Sequence, residues 1–189
     1  PVRLLAMTDW FGEEPGDGMF SICDGDYRPA LQTIADRLIE QLSRPSVRFY
    51  RYLYDTVGHD WTWVVRKFTP DATLQAELDA PEVEVHVLYE GGVPAGYGEL
   101  DRRRSGEVQI AYFGLVPEAV GRGLGSFLLQ TAIHTAWDRP ATRRLTVNTC
   151  TLDHPRALQT YQKNGFRPVR RSQHERVLRR ARDLTRIPD

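Results

Sequence analysis

The feature that most constrains the fold is a glycine-rich stretch at residues 112–126, YFGLVPEAVGRGLGS. Strand-forming residues dominate positions 108 to 116, and Pro117 cannot donate a ladder hydrogen bond, so a strand should end there. Gly121, Gly123 and Gly125 let the backbone turn tightly, and from Leu124 onward apolar residues recur at helical spacing. The stretch therefore predicts a strand–turn–helix unit whose helix N-terminus, with its free N–H groups and positive dipole end, suits a phosphate.

The spacing of the glycines separates this turn from two common phosphate-binding motifs. A dinucleotide fingerprint has Gly-x-Gly-x-x-Gly, and a nucleoside triphosphate loop continues as Gly-Lys-Ser or Gly-Lys-Thr. Here the glycines read Gly-x-Gly-x-Gly, and no lysine follows them. Taken alone, the stretch could also be an ordinary glycine-rich connection.

A second stretch, residues 157–166 (ALQTYQKNGF), changes this interpretation. Together the two stretches resemble motifs A and B of the GNAT superfamily of acetyl-CoA-dependent N-acyltransferases. Motif A, Gln/Arg-x-x-Gly-x-Gly/Ala, falls on residues 120–125, with Val120 in place of the usual Gln or Arg. Motif B, Ala-x-x-x-Tyr-x-x-x-Gly-Phe, fits at every position from Ala157 to Phe166. The resemblance covers about residues 83–169.

The resemblance implies an α+β fold, in which a twisted mixed sheet flanked by helices splays between its fourth and fifth strands. Acetyl-CoA would lie in the splay as co-substrate, with its pyrophosphate on the glycine turn and its pantetheine arm paired to the preceding strand. The Leu115 N–H would bind the thioester oxygen, and Arg122 is either a phosphate ligand or a solvated surface arginine. The implied cofactor-binding residues are Phe113, Gly114, Leu115, Val116, Gly121, Arg122, Gly123, Leu124, Gly125, Ser126 and Tyr161.

The same resemblance gives Tyr161 a catalytic role, as the group that protonates or hydrogen-bonds the leaving thiolate. The alternative is a buried tyrosine that packs its helix against the sheet. Asp153 stands where the family often has an asparagine that contacts pantetheine, but an aspartate there is also a good helix N-cap.

A base is expected because an amine of pKa ~10.4 is almost fully protonated at neutral pH. Gln109, which cannot take a proton, occupies the position of a glutamate in several relatives. We favour Glu99 as the base, because glycines at 96 and 98 would leave its surroundings open to ligands. Glu107, a solvated role for Glu99, and His59 remain alternatives.

The acceptor pocket is predicted from an aromatic helix–loop segment at residues 54–63. His59, Trp61 and Trp63, with Tyr54, lie where the family roofs its acceptor site, and we predict that they bind the acceptor. Core packing is the alternative for aromatic residues at helical spacing.

Composition narrows the remaining classes of function. The 189 residues suit one domain, 1–189, with an N-terminal extension at 1–45, a cofactor-binding core at 83–169 and a C-terminal helix at 172–187. The formal net charge is zero, so no whole-molecule field favours nucleic acid. No apolar run has the length of a membrane span, no signal peptide is visible, and the histidines show no metal-ligand spacing. The two cysteines, Cys23 and Cys150, form no framework, which fits a reducing cytoplasm.

Local patterns predict the order of elements. A strand is expected at 2–7, a helix from Pro29 to before Pro45, a helix at 47–57, and a short helix at 70–78 capped by Thr69. A half-buried strand at 83–88, a hairpin at 90–92 and strands at 93–100 and 107–116 follow. The motif A helix should end at 138. A strand at 144–149, a helix begun by Asp153 and ended by Gly165, and a last strand at 166–169 complete the prediction.

The sequence thus predicts an N-acetyltransferase that moves an acetyl group from acetyl-CoA directly to a primary amine of a small molecule, without a metal. A protein or peptide N-acetyltransferase is one alternative. Another is a non-catalytic module that binds acyl-CoA or RNA, suggested by Gln109 and by arginines near the C-terminus. An acyl-cysteine route through Cys150 is disfavoured because no activating pair accompanies it. A homodimer through the C-terminal helix is a further suggestion.

Overall fold

The computed structural model describes residues 37–173. Within this range the strands are β1 (Arg37–Gln41), β2 (Val83–Glu90), β3 (Val93–Asp101), β4 (Glu107–Leu115) and β5 (Arg144–Val147). The helices are α1 (Val47–Gly58), α2 (Val65–Phe68), α3 (Asp71–Leu78), α4 (Leu124–Trp137) and α5 (Ala157–Lys163), with a 3-10 turn at Pro117–Ala119. The strand predicted at 2–7 and nearly all of the helix predicted at 172–187, with its dimer suggestion, lie outside the described residues.

The five strands form one mixed sheet in the order β1-β2-β3-β4-β5. The first three pairings are antiparallel, and β4 pairs with β5 in parallel across the α4 crossover. The predicted α+β architecture is therefore confirmed, and so is the parallel strand–helix–strand unit around the glycine turn. The β2–β3 hairpin turns at Gly91 and Gly92, whose positive φ angles of 56° and 79° a side chain would strain.

The helix predicted from Pro29 to before Pro45 is wrong over its described part. Residues 37–41 form β1, which pairs antiparallel with β2 from Arg37–Glu90 to Gln41–His86. The edge of β2 presents a row of backbone N–H and C=O groups that need hydrogen-bond partners. Pairing with residues 37–41 satisfies them. Ile39 packs against the core from this strand, so tertiary pairing overrides the local helical spacing.

The strand β2 was predicted to be half-buried, but both of its faces are covered. Val85 and Val87 pack in the same apolar cluster as Tyr50 and Leu53 of α1, while Glu84 is only 4% exposed on the other face. The α4 side of the sheet holds a second cluster, formed by Leu100, Val108, Ile110, Leu129, Ala132, Ala136 and Tyr161. Helices on both faces give β2 a buried polar side that the sequence pattern alone reads as solvent-facing.

Two predicted N-caps and one predicted strand are also wrong. Thr69 is not an N-cap, because it ends α2 and its hydroxyl donates to the Val65 carbonyl at 3.0 Å. Asp153 does not start α5, which begins after Arg156 without a side-chain cap. The strand predicted at 166–169 is an irregular segment, in which Phe166 nevertheless packs against the second apolar cluster.

The C-terminal end of α5 follows the sequence prediction. Gly165 adopts φ 90°, its N–H donates to Gln162, and the Phe166 N–H donates to Tyr161. This pair of bonds is a Schellman motif, which satisfies the last carbonyls of the helix. The motif holds Tyr161 and Phe166 beside each other, with ring centroids 5.9 Å apart.

Strands β4 and β5 pair over only four residues and then diverge. The register runs from Glu107–Arg144 to Ile110–Val147, so the second half of β4 has no strand on that side. An irregularity in the β3–β4 register between Glu99 and Leu100 leaves Ala111 unpaired, and such bulges bend and twist a strand. The predicted splay between the fourth and fifth strands is therefore present.

A buried ion pair between Glu84 of β2 and Arg102 links the sheet to the C-terminal turn of α4. Glu84 accepts hydrogen bonds from Arg102 at 2.8 and 3.2 Å and from Arg139 at 2.6 Å. Arg102 also donates to the Ala136 and Thr135 carbonyls, which satisfies the C-terminal turn of α4. Burial alone would raise the pKa of Glu84, but hydrogen bonds from His86 and Arg102 hold it down at about 2.

This pKa predicts how stability depends on pH. A folded pKa below the ordinary value of 4.5 means that the contribution is complete above pH ~4.5 and is lost as the pH falls toward ~2. Between about pH 5 and pH 3 the free energy of unfolding should fall by about 2 kcal/mol from this group. Urea unfolding at several pH values measures it.

The matched comparison uses Glu84→Gln against Glu118→Gln, an exposed carboxylate. The Glu84 variant should be less stable at neutral pH and should lose less stability on acidification than the wild type, whereas the Glu118 variant should follow the wild type. Parallel pH curves for wild type and Glu84→Gln would contradict the assignment.

Candidate functional site

The divergence of β4 and β5 opens a cavity of about 1280 Å³. The glycine turn before α4 lies at one end of it, with Gly121, Gly123, Gly125 and Ser126 in the wall. Aromatic residues between α1 and α2 and charged residues around the start of β4 form the other end. The segment after β5 and the side of α5, with Tyr161, complete the wall. One cavity thus brings together elements that are far apart in sequence.

The glycine turn is shaped for close approach of a ligand. Gly121 and Gly123 have φ angles of 83° and 78°, and a Cβ built at either position would meet nothing within 4 Å. Gly123 is the N-cap of α4, and no side chain caps that helix. The first-turn N–H groups of a helix have no intrahelical partners, so here they are available to an anion.

Most of the predicted cofactor residues line this cavity: Phe113, Gly114, Leu115, Gly121, Gly123, Gly125, Ser126 and Tyr161. Val116 and Leu124 do not, because both belong to the apolar core. Arg122 is also absent from the wall. Its guanidinium pairs with Glu90 of β2, with contacts at 2.6 and 2.9 Å, and the predicted phosphate contact would require it to leave this partner.

The backbone of β4 turns unpaired donors toward the cavity. The Val116 N–H donates to Ala95 of β3 at 2.9 Å. Since successive N–H groups along a strand point to opposite edges, those of Leu115 and Phe113 point away from β3. On that side β5 has already separated from β4. Both groups therefore face the cavity.

Tyr161 reaches the cavity from α5. Its side chain is 8% exposed, and its ring meets Phe113 of β4 with centroids 6.2 Å apart. Burial raises the pKa of its hydroxyl, and the nearby Asp153 charge adds to this. The phenol is therefore a neutral hydrogen-bond donor at physiological pH.

The loop between β5 and α5 forms the wall opposite β4. Asp153 accepts hydrogen bonds from the Cys150 N–H at 2.8 Å and from the Thr149 hydroxyl at 2.9 Å. Cys150 is an exposed free thiol in this wall. His154 contacts Trp61 across the cavity, with ring centroids 5.2 Å apart, and both burial and Arg156 lower its pKa.

The predicted acceptor segment reaches the cavity only in part. Trp61 and Trp63 line it, together with Tyr54 and Tyr112. Trp63 also packs on the core, so this residue both lines the cavity and contributes to packing. His59 does not line the cavity, and its Nδ1 lies 2.9 Å from Asp60.

Glu99 occupies a buried cluster behind that aromatic wall. It is 1% exposed and does not line the cavity. Its oxygens accept hydrogen bonds from the Tyr50 hydroxyl at 2.5 Å and from Arg66 at 3.0 Å. The expected open surroundings are wrong, since a Cβ at Gly96 would lie 2.6 Å from the Gly114 carbonyl oxygen. Burial raises the pKa of Glu99, against the opposing effect of Arg66.

Arg66, Tyr112 and His154 are site residues that sequence reasoning missed. Arg66 lines the cavity, pairs with Glu77 and Glu99, and lies 5.4 Å from the centroid of the Tyr112 ring. Tyr112 is the register partner of Glu99. Its place in a strand pattern predicted only a pleated position, and nothing local distinguishes Arg66 from a surface arginine.

Among residues 37–173 no cluster of three or more His, Cys, Asp or Glu side chains could hold a metal ion. Nor does any helix in that range have the length and apolar character needed to cross a bilayer.

Comparison with known proteins places these features in context. The sequence profile of the acetyltransferase (GNAT) family matches residues 50–166. No curated protein sequence matches significantly.

Solved structures resemble the fold at low sequence identity. An aminoglycoside acetyltransferase, meta-AAC0020, from an uncultured soil metagenomic sample in complex with sisomicin has a TM-score of 0.59 at 14% identity, covering 75% of this chain and 95% of that chain. Aminoglycoside N-acetyltransferase AAC(6')-Iy in complex with CoA gives 0.56 at 17% identity, covering 75% and 94%. The putative acetyltransferase YycN from Bacillus subtilis gives 0.54 at 18% identity, covering 75% and 99%.

Proposed function

The chain belongs to the acetyltransferase (GNAT) family, and from this premise we propose that it transfers an acetyl group from acetyl-CoA directly to a primary amine of a small molecule. The observation that carries the proposal is the cavity itself. It joins an uncapped, glycine-rich helix N-terminus to a strand edge with unpaired N–H groups and a buried tyrosine.

Acetyl-CoA fits the donors along this wall. The pyrophosphate would bind the first-turn N–H groups of α4, where a side chain in place of Gly121 or Gly123 would intrude. The pantetheine amides would pair with β4 as an added strand, in the gap left by β5. Arg122 either contacts the pyrophosphate or keeps its ion pair with Glu90.

The chemistry is attack of a neutral amine on a thioester carbonyl. A C–N bond forms, the C–S bond breaks, and the amine gives up one proton. The Leu115 N–H is the proposed donor to the carbonyl oxygen as negative charge develops on it. Tyr161 would donate to the departing sulfur. Because the phenol is the weaker acid, its hydrogen bond matters more than full proton transfer.

Two carboxylates compete for the role of base. Glu99 has a raised pKa, which suits a proton acceptor, but a proton would reach it only past Arg66 and Tyr112. Glu107 lies in the cavity wall itself, two residues before Gln109 and on the same face of β4. We retain Glu99 as the proposed base and Glu107 as its rival.

The setting and the alternatives follow from the same features. A cytoplasmic location is proposed because an exposed free thiol such as Cys150 persists in a reducing compartment. Transfer to a protein or peptide, or binding without transfer, would use the same cofactor groove. Turnover with free amines separates these alternatives from the main proposal.

The experiment that tests the proposal is calorimetric titration with acetyl-CoA and CoA, with NADH and ATP as controls, followed by an amine screen for thiol release. Selective binding of CoA species and release of CoA on adding an amine would support it. No binding of either CoA species would refute it.

Replacing Gly123 with Ala should weaken acetyl-CoA binding by about tenfold or more. The substitution strains a residue at φ 78°, which costs roughly 1–2 kcal/mol, and puts a methyl group beside the phosphate donors. Gly106→Ala is the matched control, because Gly106 has a similar φ of 73° but lies outside the cavity wall. Equal loss of affinity in both variants would show that strain, and not the site, causes the effect.

Tyr161→Phe should lower kcat by about tenfold or more, because it removes the donor to the leaving thiolate. Acetyl-CoA affinity should change little, since the ring remains. Tyr97→Phe serves as the control, because Tyr97 is fully buried and does not line the cavity. Wild-type kcat in Tyr161→Phe would leave the residue with a packing role only.

Glu99→Gln should lower kcat/KM by about tenfold or more at pH 7 and remove the acid limb of its pH profile. The sign follows from the raised pKa, since the carboxylate must be ionised to accept a proton and activity therefore falls as the pH drops through that pKa. Glu107→Gln is measured in parallel. A normal profile for Glu99→Gln together with a flattened one for Glu107→Gln would transfer the role to Glu107.

A further inference from the structure

The charged end of the cavity, around the β3–β4 turn and the start of β5, indicates the class of acceptor. Two carboxylates lie there, Asp101 and Glu107, together with Arg103 and Arg104 in the wall and Arg144 beside Glu107. An ammonium group of a polyamine would need free carboxylate oxygens, whereas an anion would need free N–H donors. The hydrogen bonds show which of the two is available.

Asp101 is already neutralised by Arg103. The Arg103 backbone N–H donates to Oδ1 at 2.9 Å, and the Arg103 guanidinium reaches both oxygens at 3.0, 3.1 and 2.5 Å. Arg103 thus supplies three N–H donors to this carboxylate, and its Nε–H is shared between the two oxygens. The Arg103 side chain accordingly lowers the pKa of Asp101.

Glu107 accepts two hydrogen bonds and has a second arginine at ion-pair distance. The Thr146 hydroxyl and Arg104 reach Oε1 at 3.2 and 3.4 Å, and Arg144 lies 3.8 Å from Oε2. One carboxylate is thus flanked by two arginines, and this corner of the cavity carries an excess of one positive charge. Deeper in the wall, Arg66 is already held by Glu77 and Glu99.

Arg104 and Arg144 keep most of their donors. Their side chains are 75% and 71% exposed, and their contacts with Glu107 are long. Each guanidinium has five N–H donors in a planar fork that matches carboxylate and phosphate oxygens. Arg144 stands opposite Glu107 in the β4–β5 register. Arg104 lines the cavity, and Arg144 lies just outside its wall, beside the same carboxylate.

We propose that the acceptor is an elongated amine that carries an anionic group, a carboxylate or a phosphate, and that Arg104 and Arg144 bind this group. The inference rests on the proposed acetyl transfer and names its substrate class. Phe113 lies six strand positions from Glu107, roughly 20 Å, and the arginine side chains shorten that span. The amine would reach the thioester past Trp63 and Tyr112 while the anion stays at the arginines. Polycationic acceptors would meet repulsion instead.

The test compares three amines with the same eight-carbon chain: ω-aminooctanoate, ω-aminooctanamide and diaminooctane. They differ only in an anionic, neutral or cationic distal group, and aminooctyl phosphate adds the phosphate arm. In the wild type, kcat/KM should be about fivefold or more higher for the octanoate than for the octanamide, and lowest for the diamine. Added salt should reduce the ratio, because the arginines are exposed.

Arg104→Glu and Arg144→Glu, alone and combined, should bring the octanoate-to-octanamide ratio to one or below. Arg48→Glu is the matched control, because it makes the same charge change at an exposed arginine outside this cavity and should keep the wild-type ratio. If kcat/KM relative to the octanamide is higher for aminooctyl phosphate than for ω-aminooctanoate, phosphate is the preferred anion.

The outcomes separate the two proposals. Transfer that favours the diamine, shows no anionic preference, or keeps its preference in the double variant overturns the acceptor class and leaves acetyl transfer standing. Binding of acetyl-CoA without transfer to any amine, including those of a broad screen, overturns the proposed function and the acceptor class with it.

Discussion

The site depends on one constraint, the early separation of β5 from β4. After the Ile110–Val147 pair, the edge of β4 continues without a neighbouring strand, and buried backbone donors must find other partners. In most sheets such an edge is covered or shortened. Here it runs directly into the uncapped N-terminus of α4, so two sets of unpaired N–H groups point into one cavity. A ligand that is both amide-rich and phosphorylated satisfies both sets.

The aromatic side of the cavity is held in place by buried charge. Arg66 joins Glu77 of α3 to Glu99 of β3 and lies against the rings of Tyr50 and Tyr112. Burying a pair of ions stabilises a fold little in total, but removal of one partner leaves the other uncompensated. Such a cluster therefore fixes where α2 sits relative to β4, and with it the positions of Trp63 and Tyr112. The same burial that makes Glu99 a structural anchor raises its pKa, so the structural role is compatible with the proposed catalytic one.

Similar pairing explains why Arg122 and Asp153 have other partners than their sequence positions suggested. Arg122 and Glu90 are 32 positions apart in sequence, and no local pattern connects them. Asp153 is a good N-cap residue, but its carboxylate instead accepts hydrogen bonds within the loop before α5, from the Cys150 N–H and the Thr149 hydroxyl. In each case the residue type is right for an ion pair or a cap, and the partner is chosen by the packing of distant elements.

The sequence by itself determined the glycine turn, the α4 helix, the Schellman end of α5 and the place of Tyr161 in the cavity wall. Each of these depends on backbone preferences or on motif residues that are close in the chain. Only the tertiary structure decided that residues 37–41 are a strand, that Glu84 and Glu99 are buried, that His59 lies outside the cavity and that Arg66 and Tyr112 lie in its wall. The physical reason is that strand pairing, burial and ion pairing are set by neighbours far along the chain, and their free energies exceed the small local propensities that a sequence pattern records.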